Sequence, residues 1–502
     1  MLVLGIDLGT SSCKTILVNQ NGKILNFASA HYPLMTPHAH WSEQNPEDWW
    51  EAMAESVRQV MLGYSAEEVK GIGLSGQMSG LVLLDQKDQV LRPAILWNDG
   101  RAQKECEILS QKIPHILKET GNYPVSGLVA PKLLWLQQHE PHVWEKVKTV
   151  LLPKDYLRFK LSGEKVTDVA DGSLTLLLNV ENRAWSPALL DVCNIDQSYL
   201  GTLIEGNELS GRLSSQASEK LNLKTGIPVV GGAGDQPAAA IGVGCISPGQ
   251  TLISLGTSGV VLSVTKNYQN NDERGLNNCC HALPNAWYHM GVMLSAAGSL
   301  QWYRDTCAVD LDFNTVCEAT KHIPIGSEGL IFLPYLSGER TPYCDPYLRG
   351  AFIGLSRKHE QAHLSRAVLE GIGMGLYQSL ALMKKSGAKI TEAVINGAGT
   401  QSAVWMQMLA DIFNITLILP EKAEAGPALG AARLALIGCI GMPISEVCAM
   451  GKPIQYFEPQ AEASELYQIK IKQFQSVYPL LKEYSHALLA ENCHAKAEQL
   501  VV

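Results

Sequence analysis

The chain has 502 residues, of which 46% are hydrophobic and 18% charged, a composition typical of a globular protein and not of a disordered one. A chain of this length is expected to form about two to four domains. The formal net charge of -9 argues against a general surface for nucleic acids or anionic membranes. A local phosphate site built from backbone N–H groups stays compatible with that charge.

The twelve cysteines are scattered and form no C-x-x-C motif, so we expect neither a zinc site nor a disulfide framework. We interpret the adjacent Cys279 and Cys280 as buried thiols. No signal peptide is recognisable, and no apolar run reaches the roughly 18 residues of a membrane helix. The sequence therefore predicts a cytoplasmic protein that does not enter the membrane.

The first elements in the chain are short strands. Leu2–Asp7 and Thr15–Val18 are apolar runs separated by a Gly-Thr-Ser turn, and Lys23–Ala28 follows the turn Asn21-Gly22. A helix is predicted after Asn45, which can cap it, with Pro46 in the first turn and an apolar face of Trp49, Met53, Val57 and Val60. With the further strand Gly71–Ser75, this pattern predicts a mixed α/β fold.

An internal repeat divides the chain. The tetrad Leu-Gly-Thr-Ser stands at Leu8–Ser11 and again at Leu255–Ser258, each time between two apolar strands. The shared context favours duplication over chance. We therefore predict an N-terminal domain over residues 1–244 and a C-terminal domain over residues 245–502, separated by a segment rich in Gly, Pro and Ser.

The second half continues in the same style. A long amphipathic helix is predicted over His359–Lys384, and the strand Glu392–Ile395 enters a glycine-rich turn. The terminal segment Ser464–Ala490 is predicted to be a helix interrupted near Pro479.

The two Leu-Gly-Thr-Ser turns are candidate phosphate loops, because such turns expose several backbone N–H groups and hydroxyls. Either turn alone is more typical of a plain hairpin, but the pair indicates a nucleoside triphosphate between two lobes. Asp7, just before the first loop, is a candidate Mg²⁺ ligand, directly or through water. Lys14 could contact phosphate or be a solvated strand residue.

Three polar segments are candidates for the other ligand contacts. The turn Gly397–Ser402 leaves room for a base or ribose, or is only a tight strand–helix connection. The segment Gln77–Gly80 offers uncharged hydrogen-bonding groups suited to a polyol. The segment Trp97–Arg101 is interpreted as a plain turn.

Asp235 is the one ionisable residue in the run Val229–Gly244. We expect it at the N-cap of a helix that has Pro237 in its first turn. It is either a cap alone or also a base whose carboxylate the helix N–H groups keep ionised, able to accept the proton of a hydroxyl that attacks a γ-phosphate.

Together these segments resemble the FGGY carbohydrate kinases of the actin-like ATPase superfamily. The resemblance runs nearly end to end and includes the segments GIDLGTSSCK, SLGTSG, WSEQNPEDWW, GLSGQMSG, RPAILWNDGR, APKLLWLQQHEP, LLPKDYLRFKLSGE, FLPYLSGERTP, VLEGIGMGL and NGAGTQS. It implies an α/β fold of two ribonuclease-H-like lobes, with an interlobe cleft that binds ATP and Mg²⁺. It also implies phosphorylation of a ketopentose, in the first place D-xylulose to D-xylulose 5-phosphate.

The resemblance assigns roles to individual residues. Asp235 would be the catalytic base, and Asp7 would lie near Mg²⁺. The sugar would contact the first lobe at Gln77, Met78, Ser79, Asp235 and Gln236. The nucleotide would lie near Thr10, Ser11, Lys14, Thr257, Gln301, Gly397, Ala398 and Ser402. A homodimer is also expected from the family.

Three positions depart from the family pattern. Members that act on xylulose usually have His where Ser79 stands and Asn where Gln236 stands, and Ser12 replaces a frequent Gly. An Asp-Gln pair at 235–236 is similar to the glycerol-specific members, which carry an Arg-Glu pair in place of Met78-Ser79. An FGGY kinase for ribulose, a deoxyketose, glycerol or another polyol is therefore one alternative. A non-catalytic actin-like ATP-binding protein is another.

Overall fold

The computed structural model describes residues 1–269, 275–421, 426–449 and 453–499, with side chains described up to residue 488. The strands of the first half are β1 (Leu2–Leu8), β2 (Ser12–Asn19), β3 (Ile24–His31), β4 (Glu43–Gln44), β5 (Val69–Gly76), β6 (Val82–Leu84), β7 (Ala94–Ile95), β8 (Thr149–Leu151), β9 (Val166–Asp168), β10 (Leu178–Asn179), β11 (Ala184–Trp185), β12 (Thr202–Ile204), β13 (Leu209–Arg212), β14 (Pro228–Val230) and β15 (Ala233–Gly234). Those of the second half are β16 (Thr251–Leu255), β17 (Gly259–Thr265), β18 (Leu276–Cys280), β19 (Trp287–Met293), β20 (Ile331–Leu333), β21 (Ala351–Ile353), β22 (Glu392–Asn396), β23 (Thr416–Pro420) and β24 (Pro453–Phe457).

The helices follow the same division. The first half contains α1 (Pro46–Val60), α2 (Gln103–Lys112), α3 (Ile116–Thr120), α4 (Val129–His139), α5 (Pro141–Trp144), α6 (Pro153–Ser162), α7 (Val169–Gly172), α8 (Pro187–Val192), α9 (Ser215–Leu221) and α10 (Asp235–Val243). The second half contains α11 (Ala297–Cys307), α12 (Phe313–Glu318), α13 (Gln361–Lys385), α14 (Ala403–Phe413), α15 (Gly426–Ile440), α16 (Ile444–Val447) and α17 (Ala461–Gln499).

Each half is built around one mixed sheet. The first sheet has the strand order β13-β14-β5-β1-β2-β3, with β15 also paired to β5, and the second has the order β18-β19-β17-β16-β22-β23-β24. In both sheets a hairpin that carries a Leu-Gly-Thr-Ser turn is followed by two parallel strands and an antiparallel edge strand. This correspondence confirms the α/β fold class and supports an internal duplication. The boundary between residues 244 and 245 stays a prediction.

Helix α1 shows how the sequence pattern builds the first core. The side chain of Asn45 accepts a hydrogen bond from the N–H of Glu47 and caps the helix. The predicted apolar face consists of Trp49, Met53, Val57 and Val60. All four are buried in one cluster with residues of β1 and β5. Burial of this face against the sheet is the main force that holds the helix in place.

Two helices lie between the sheets and interlock the halves. Helix α15 follows the second sheet in the chain but packs on β1 and β5 of the first sheet, and it also crosses α10. The approach is close, because a Cβ atom on Gly73 would lie 1.9 Å from the carbonyl oxygen of Ala431. Arg433 of α15 donates a hydrogen bond to the carbonyl of Ile241 in α10 at 2.7 Å. The two halves are therefore joined at these helices by backbones in direct contact.

The C-terminal helix differs from the prediction. Helix α17 continues through Pro479 and is not interrupted there. Pro479 is exposed, so the carbonyl that loses its helical partner can bond water, while Phe474 and Val477 on the opposite face are buried. The prediction of a long helix near His359–Lys384 is confirmed by α13. Among the described residues, no helix is both long enough and apolar enough to cross a membrane.

Candidate functional site

The first candidate phosphate loop is the turn between β1 and β2. The N–H of Gly9 donates to the carbonyl of Ser12 at 3.0 Å, which closes the turn. Thr10 is half-buried and Ser11 is exposed at its tip. The predicted loop therefore forms, with Ser11 accessible from solvent.

The second candidate loop joins β16 to β17 in the same way. The N–H of Gly256 donates to the carbonyl of Ser258 at 3.0 Å. Thr257 is exposed, and its carbonyl accepts a hydrogen bond from the N–H of Gly298 at 3.1 Å. This contact docks the loop on the first turn of α11, which also carries the exposed Gln301. The structure thus brings Thr257 next to the helix that carries Gln301.

Asp7 lies near the end of β1, where it pairs with Lys14 on β2 and with Ser75 on β5. The hydroxyl of Ser75 donates to Asp7 Oδ1 at 2.8 Å. Burial raises the pKa of Asp7, while the Ser75 hydrogen bond and the charge of Lys14 act in the opposite direction. An added cation at this carboxylate would favour its ionised form.

Asp235 is brought to Asp7 by the sheet. Asp7 of β1 and Ala233 of β15 both pair with Ser75 of β5, so they flank it on neighbouring strands. Asp235 follows two residues after Ala233, at the start of α10. The two carboxylates, 228 positions apart in the chain, therefore share one edge of the first sheet.

The prediction that Asp235 is the N-cap is wrong by one residue. Gly234 is the N-cap and Asp235 is the first helical residue. Its Oδ1 accepts the N–H of Gln236 at 2.9 Å and its Oδ2 accepts the Gln236 Nε2 at 3.2 Å. The expectation that helix N–H groups keep it ionised is also corrected. Burial and the charge of Asp7 outweigh these bonds and raise the pKa of Asp235 to about 7.

The glycine-rich turn of the second half lies beside the second loop. Strand β22 pairs in parallel with β16, so its end at Asn396 meets Ser254. Gly397 follows with a φ of 102°, and Ala398 is exposed. The hydroxyl of Ser402 accepts the N–H of Trp405 at 3.3 Å and caps α14. These candidate nucleotide residues therefore follow the strand next to the one that leads into Thr257, although the hydroxyl of Ser402 is already used in capping.

The segment Gln77–Gly80 lies beside both Asp235 and the first loop. Met78 packs on Gly234, because a Cβ atom there would lie 2.4 Å from Met78 Cγ. Gln77 is buried and its amide bonds two other groups: its Oε1 accepts the hydroxyl of Thr10 at 3.3 Å, and its Nε2 donates to Gln44 at 3.0 Å. Gln77 thus links the candidate sugar segment to the candidate phosphate loop.

Comparison with known protein families agrees with this arrangement. Residues 2–242 match the N-terminal domain of the FGGY family of carbohydrate kinases, and residues 251–439 match its C-terminal domain. The chain belongs to the FGGY family of carbohydrate kinases.

Individual relatives of this FGGY kinase are similar over almost the whole chain. The xylulose kinase of Escherichia coli K12 is 39% identical over 96% of this chain and 99% of its own, and that of Lactococcus lactis is 41% identical over 98% and 99%. The crystal structure of a xyloylose kinase from Brucella ovis has a TM-score of 0.91 at 37% identity, covering 97% of this chain and 100% of its own. This FGGY kinase is therefore an ATP-dependent sugar kinase, and the alternative of a non-catalytic ATP-binding protein is set aside.

Ser79, a candidate sugar contact of this kinase, has a left-handed backbone with a φ of 63°. It is 2% exposed, and its hydroxyl donates to the carbonyl of Leu174 at 3.4 Å. Lys132 of α4 donates to the carbonyl of Ser79 at 2.8 Å and to that of Ile95 at 3.3 Å. The loop is thus held by a buried ammonium that the sequence reasoning did not single out.

The segment Trp97–Arg101 is more than the plain turn predicted for it. Trp97 Nε1 donates to the Thr10 hydroxyl at 3.1 Å. Asp99 accepts Arg101 Nε and Nη2, both at 2.8 Å, and the guanidinium of Arg101 lies 3.6 Å from the ring centroid of Trp41. The segment contributes a buried ion pair and a contact to the phosphate loop.

A buried ion-pair cluster lies beneath the turn that carries Asp235. Carboxylate oxygens of Asp155, Asp168 and Asp171 lie within 4.8 Å of one another, a spacing that could hold a metal ion. Lys154 Nζ, however, is 2.6 Å from Asp155, 2.6 Å from Asp168 and 3.6 Å from Asp171. The ammonium thus occupies the position of a cation. Arg158 of the same helix donates to the carbonyl of Gly231, so the cluster supports the chain just before Asp235.

Proposed function

We propose that this FGGY kinase transfers the γ-phosphoryl group of ATP to O5 of D-xylulose, with Asp235 as the general base. The observation that carries the proposal is the position of Asp235 at the start of α10, on the sheet edge that also holds Asp7 and the first phosphate loop. The xylulose kinases that are 39% and 41% identical over nearly their full length support the choice of sugar.

The chemistry assigned to Asp235 is a single proton transfer. The proton of the O5 hydroxyl passes to the Asp235 carboxylate while O5 forms a bond to the γ-phosphorus atom. The bond between that phosphorus and the β–γ bridging oxygen breaks, and ADP leaves. Because burial and the neighbouring Asp7 raise the pKa of Asp235 to about 7, its ionised form is a stronger base than an exposed carboxylate.

Asp7 is the residue that we propose to hold Mg²⁺, directly or through water. Its Oδ1 accepts a hydrogen bond from the hydroxyl of Ser75. Burial makes the negative charge of this carboxylate costly, and a cation bound to it would offset that cost. The cation would neutralise charge on the β- and γ-phosphates. Thr10, Ser11 and Lys14 on one side and Thr257 on the other are the proposed phosphate contacts. Gln301, Gly397, Ala398 and Ser402 are the proposed contacts of the remainder of the nucleotide.

The experiment that tests this function is a coupled assay of ADP release with D-xylulose, L-xylulose, D-ribulose and glycerol. We expect the highest kcat/KM for D-xylulose, by at least about tenfold, since a difference in hydrogen bonding at one hydroxyl discriminates by this amount or more. A higher value for another compound would replace D-xylulose as the substrate. An ADP release rate that no sugar increases would contradict the proposal.

The result of the substrate panel bears on Ser79 and Gln236, the two proposed sugar contacts that differ from the usual residues of members that act on xylulose. Both lie at the sugar side of Asp235, and Gln236 donates its side-chain amide to the Asp235 carboxylate. The homodimer expected from the family is a separate prediction, which light scattering coupled to size-exclusion chromatography tests.

A further inference from the structure

A cavity of about 970 Å³ is lined by residues of both halves. Its wall from the first half includes Trp97, Tyr123 and Gly127, and its wall from the second half includes Arg340 and Arg349. Trp97 reaches the first phosphate loop through the hydroxyl of Thr10. The cavity therefore extends away from the phosphate loop toward a part of the second half that carries guanidinium groups.

The backbone at Arg340 is held on both sides. The carboxylate of Glu339 accepts the N–H of Leu294 at 3.0 Å and the N–H of Arg340 at 2.8 Å. The hydroxyl of the next residue, Thr341, donates to the carbonyl of Gly275 and accepts the N–H of Val292. The position of Arg340 is thus set by the second sheet and its loops, before any ligand binds.

The side chain of Arg340 has no such partners. It is half-buried, and within the described part of the chain its guanidinium makes no hydrogen bond or ion pair. The guanidinium of Arg349, in the other part of the same wall, instead donates to the carbonyls of Pro346 and Leu348. An arginine that is partly desolvated without a hydrogen-bond partner is costly, because its five donors have lost part of their hydration.

The charge of Arg340 acts on the sugar segment of the first half. Burial, together with the positive charges of Arg101 and Arg340, lowers the pKa of Lys132 to about 7 against the opposing charge of Asp99. Lys132 donates to the carbonyl of Ser79, so Arg340 lies within electrostatic reach of the ammonium under Ser79. Arg340 and Lys132 thus repel each other across the two halves, and an oxygen-rich ligand between them would reduce their repulsion.

Arg340 belongs to the second half of the chain and Asp235 to the first. The pKa of Asp235 responds to the charge of Asp7, whereas Arg340 acts on Lys132 behind Ser79. If O5 of a ketopentose lies at Asp235, the opposite end of the sugar carries the O1 hydroxyl and the C2 carbonyl. Both groups have oxygens that accept hydrogen bonds from a guanidinium.

We propose that Arg340 is a specificity residue of the second half that donates hydrogen bonds to the hydroxyketone end of the sugar, at O1 and at the C2 carbonyl oxygen. This inference rests on the proposed function, because it takes O5 to be the hydroxyl at Asp235. It assigns recognition of the sugar to both halves: the first half holds the end that is phosphorylated, and the second half recognises the other end.

The test compares Arg340→Met with the wild-type enzyme on D-xylulose, 1-deoxy-D-xylulose, which lacks O1, and xylitol, which lacks the carbonyl. Loss of hydrogen bonds from a charged donor should raise the KM for D-xylulose by about tenfold to hundredfold, with the KM for ATP within about twofold. The wild-type preference for D-xylulose over the two analogues, expressed as a ratio of kcat/KM values, should fall by a similar factor. Arg340→Lys should restore part of it.

The matched control is Arg349→Met, in the same cavity wall, whose guanidinium is already bonded to backbone carbonyls. It should leave the KM for D-xylulose within about twofold. An Arg340→Met enzyme with the wild-type preference among the three compounds overturns the inference and leaves the proposed function standing. A wild-type enzyme that phosphorylates no ketose overturns both, so the two failures are distinguishable.

Discussion

The two halves of this FGGY kinase share a strand order and a Leu-Gly-Thr-Ser turn, but their charges differ where the chemistry is assigned. Asp7 stands before the first turn, and Ser254 takes the corresponding place before the second. Asp7 pairs with Ser75 on the neighbouring parallel strand, as Ser254 pairs with Asn396. The second half thus has uncharged groups where the first half has a carboxylate.

The same contrast recurs in the sequences that lead into α10 and α15. Both contain a Pro-Ala pair, at Pro237 and at Pro427, but two residues before the proline the first half has Asp235 and the second has Ala425. At these two pairs of corresponding positions, the carboxylate is therefore present in the first half and absent from the second. This asymmetry suits a nucleotide held between the halves, because an anionic phosphate chain binds more easily where no further negative charge is present.

The fully buried lysines show the same bias. Among the described residues, the fully buried lysines are Lys132 and Lys154, both in the first half. Lys132 supports Ser79, and Lys154 neutralises the carboxylates beneath the turn that carries Asp235. In the first half, buried lysines therefore lie beside the segments that carry the proposed reactive residues.

The largest expected effect is on stability, at Lys154. Lys154→Met leaves three buried carboxylates without their cation and should lower the free energy of unfolding by about 3–5 kcal/mol. Urea denaturation followed by tryptophan fluorescence measures the change. Lys160→Met, on the same helix but in an exposed pair with Glu47, should cost at most about 1 kcal/mol. Equal losses in the two variants would remove the special role of the buried cluster.

A smaller effect is expected in the pH dependence of stability. The pKa of Lys132 is lowered to about 7 in the folded state, so between this value and the pKa of an exposed lysine the unfolded chain binds more protons. The contribution of Lys132 to the free energy of unfolding therefore rises with pH, by about 1.5 kcal/mol between pH 7 and 8.5. Urea denaturation of the wild type and of Lys132→Met over this range measures it. The difference between the two proteins should change with pH, and a constant difference would show that Lys132 stays protonated.

The smallest expected effect comes from a substitution that removes the asymmetry between the two halves. Ser254→Asp places a carboxylate beside the second phosphate loop, at the position that corresponds to Asp7. Repulsion of the nucleotide phosphates should raise the KM for ATP by about tenfold. The KM for the sugar should stay unchanged, and Ser254→Asn is the uncharged control. Steady-state kinetics with each substrate varied in turn measures both KM values. A KM for ATP that the added charge leaves unchanged would contradict this account.

Local patterns predicted much of the fold. The β1–β2 hairpin, the cap at Asn45 and the buried face of α1 depend on residues close in sequence, and all three are present. The repeat of the Leu-Gly-Thr-Ser turn also indicated two similar sheets. What the sequence could not predict depends on distant partners: α15 packs on the sheet of the other half, and exposure of Pro479 lets α17 continue through it.

The candidate site shows the same limit. The residue types of Asp7 and Asp235 suggested chemistry, but their common sheet edge follows from the pairing of β1 and β15 with β5. Lys154 was missed because charged residues in an amphipathic helix are ordinarily expected at the surface. Arg340 was missed because the absence of a partner is a property of the folded chain. A charge-rich segment between apolar residues, such as PKDYLR, is a sequence signal that could have indicated the buried cluster.

The central claim is that Asp235 accepts the proton of the attacking hydroxyl. Its most direct test is the turnover of Asp235→Asn with saturating ATP and D-xylulose, measured beside the affinity of the variant for D-xylulose by calorimetry. We predict that kcat falls by about 10²- to 10⁴-fold, the usual contribution of a general base, while the Kd of the sugar stays within about threefold. A variant that binds the sugar and turns over at a near-normal rate would contradict the assignment of Asp235 as the base.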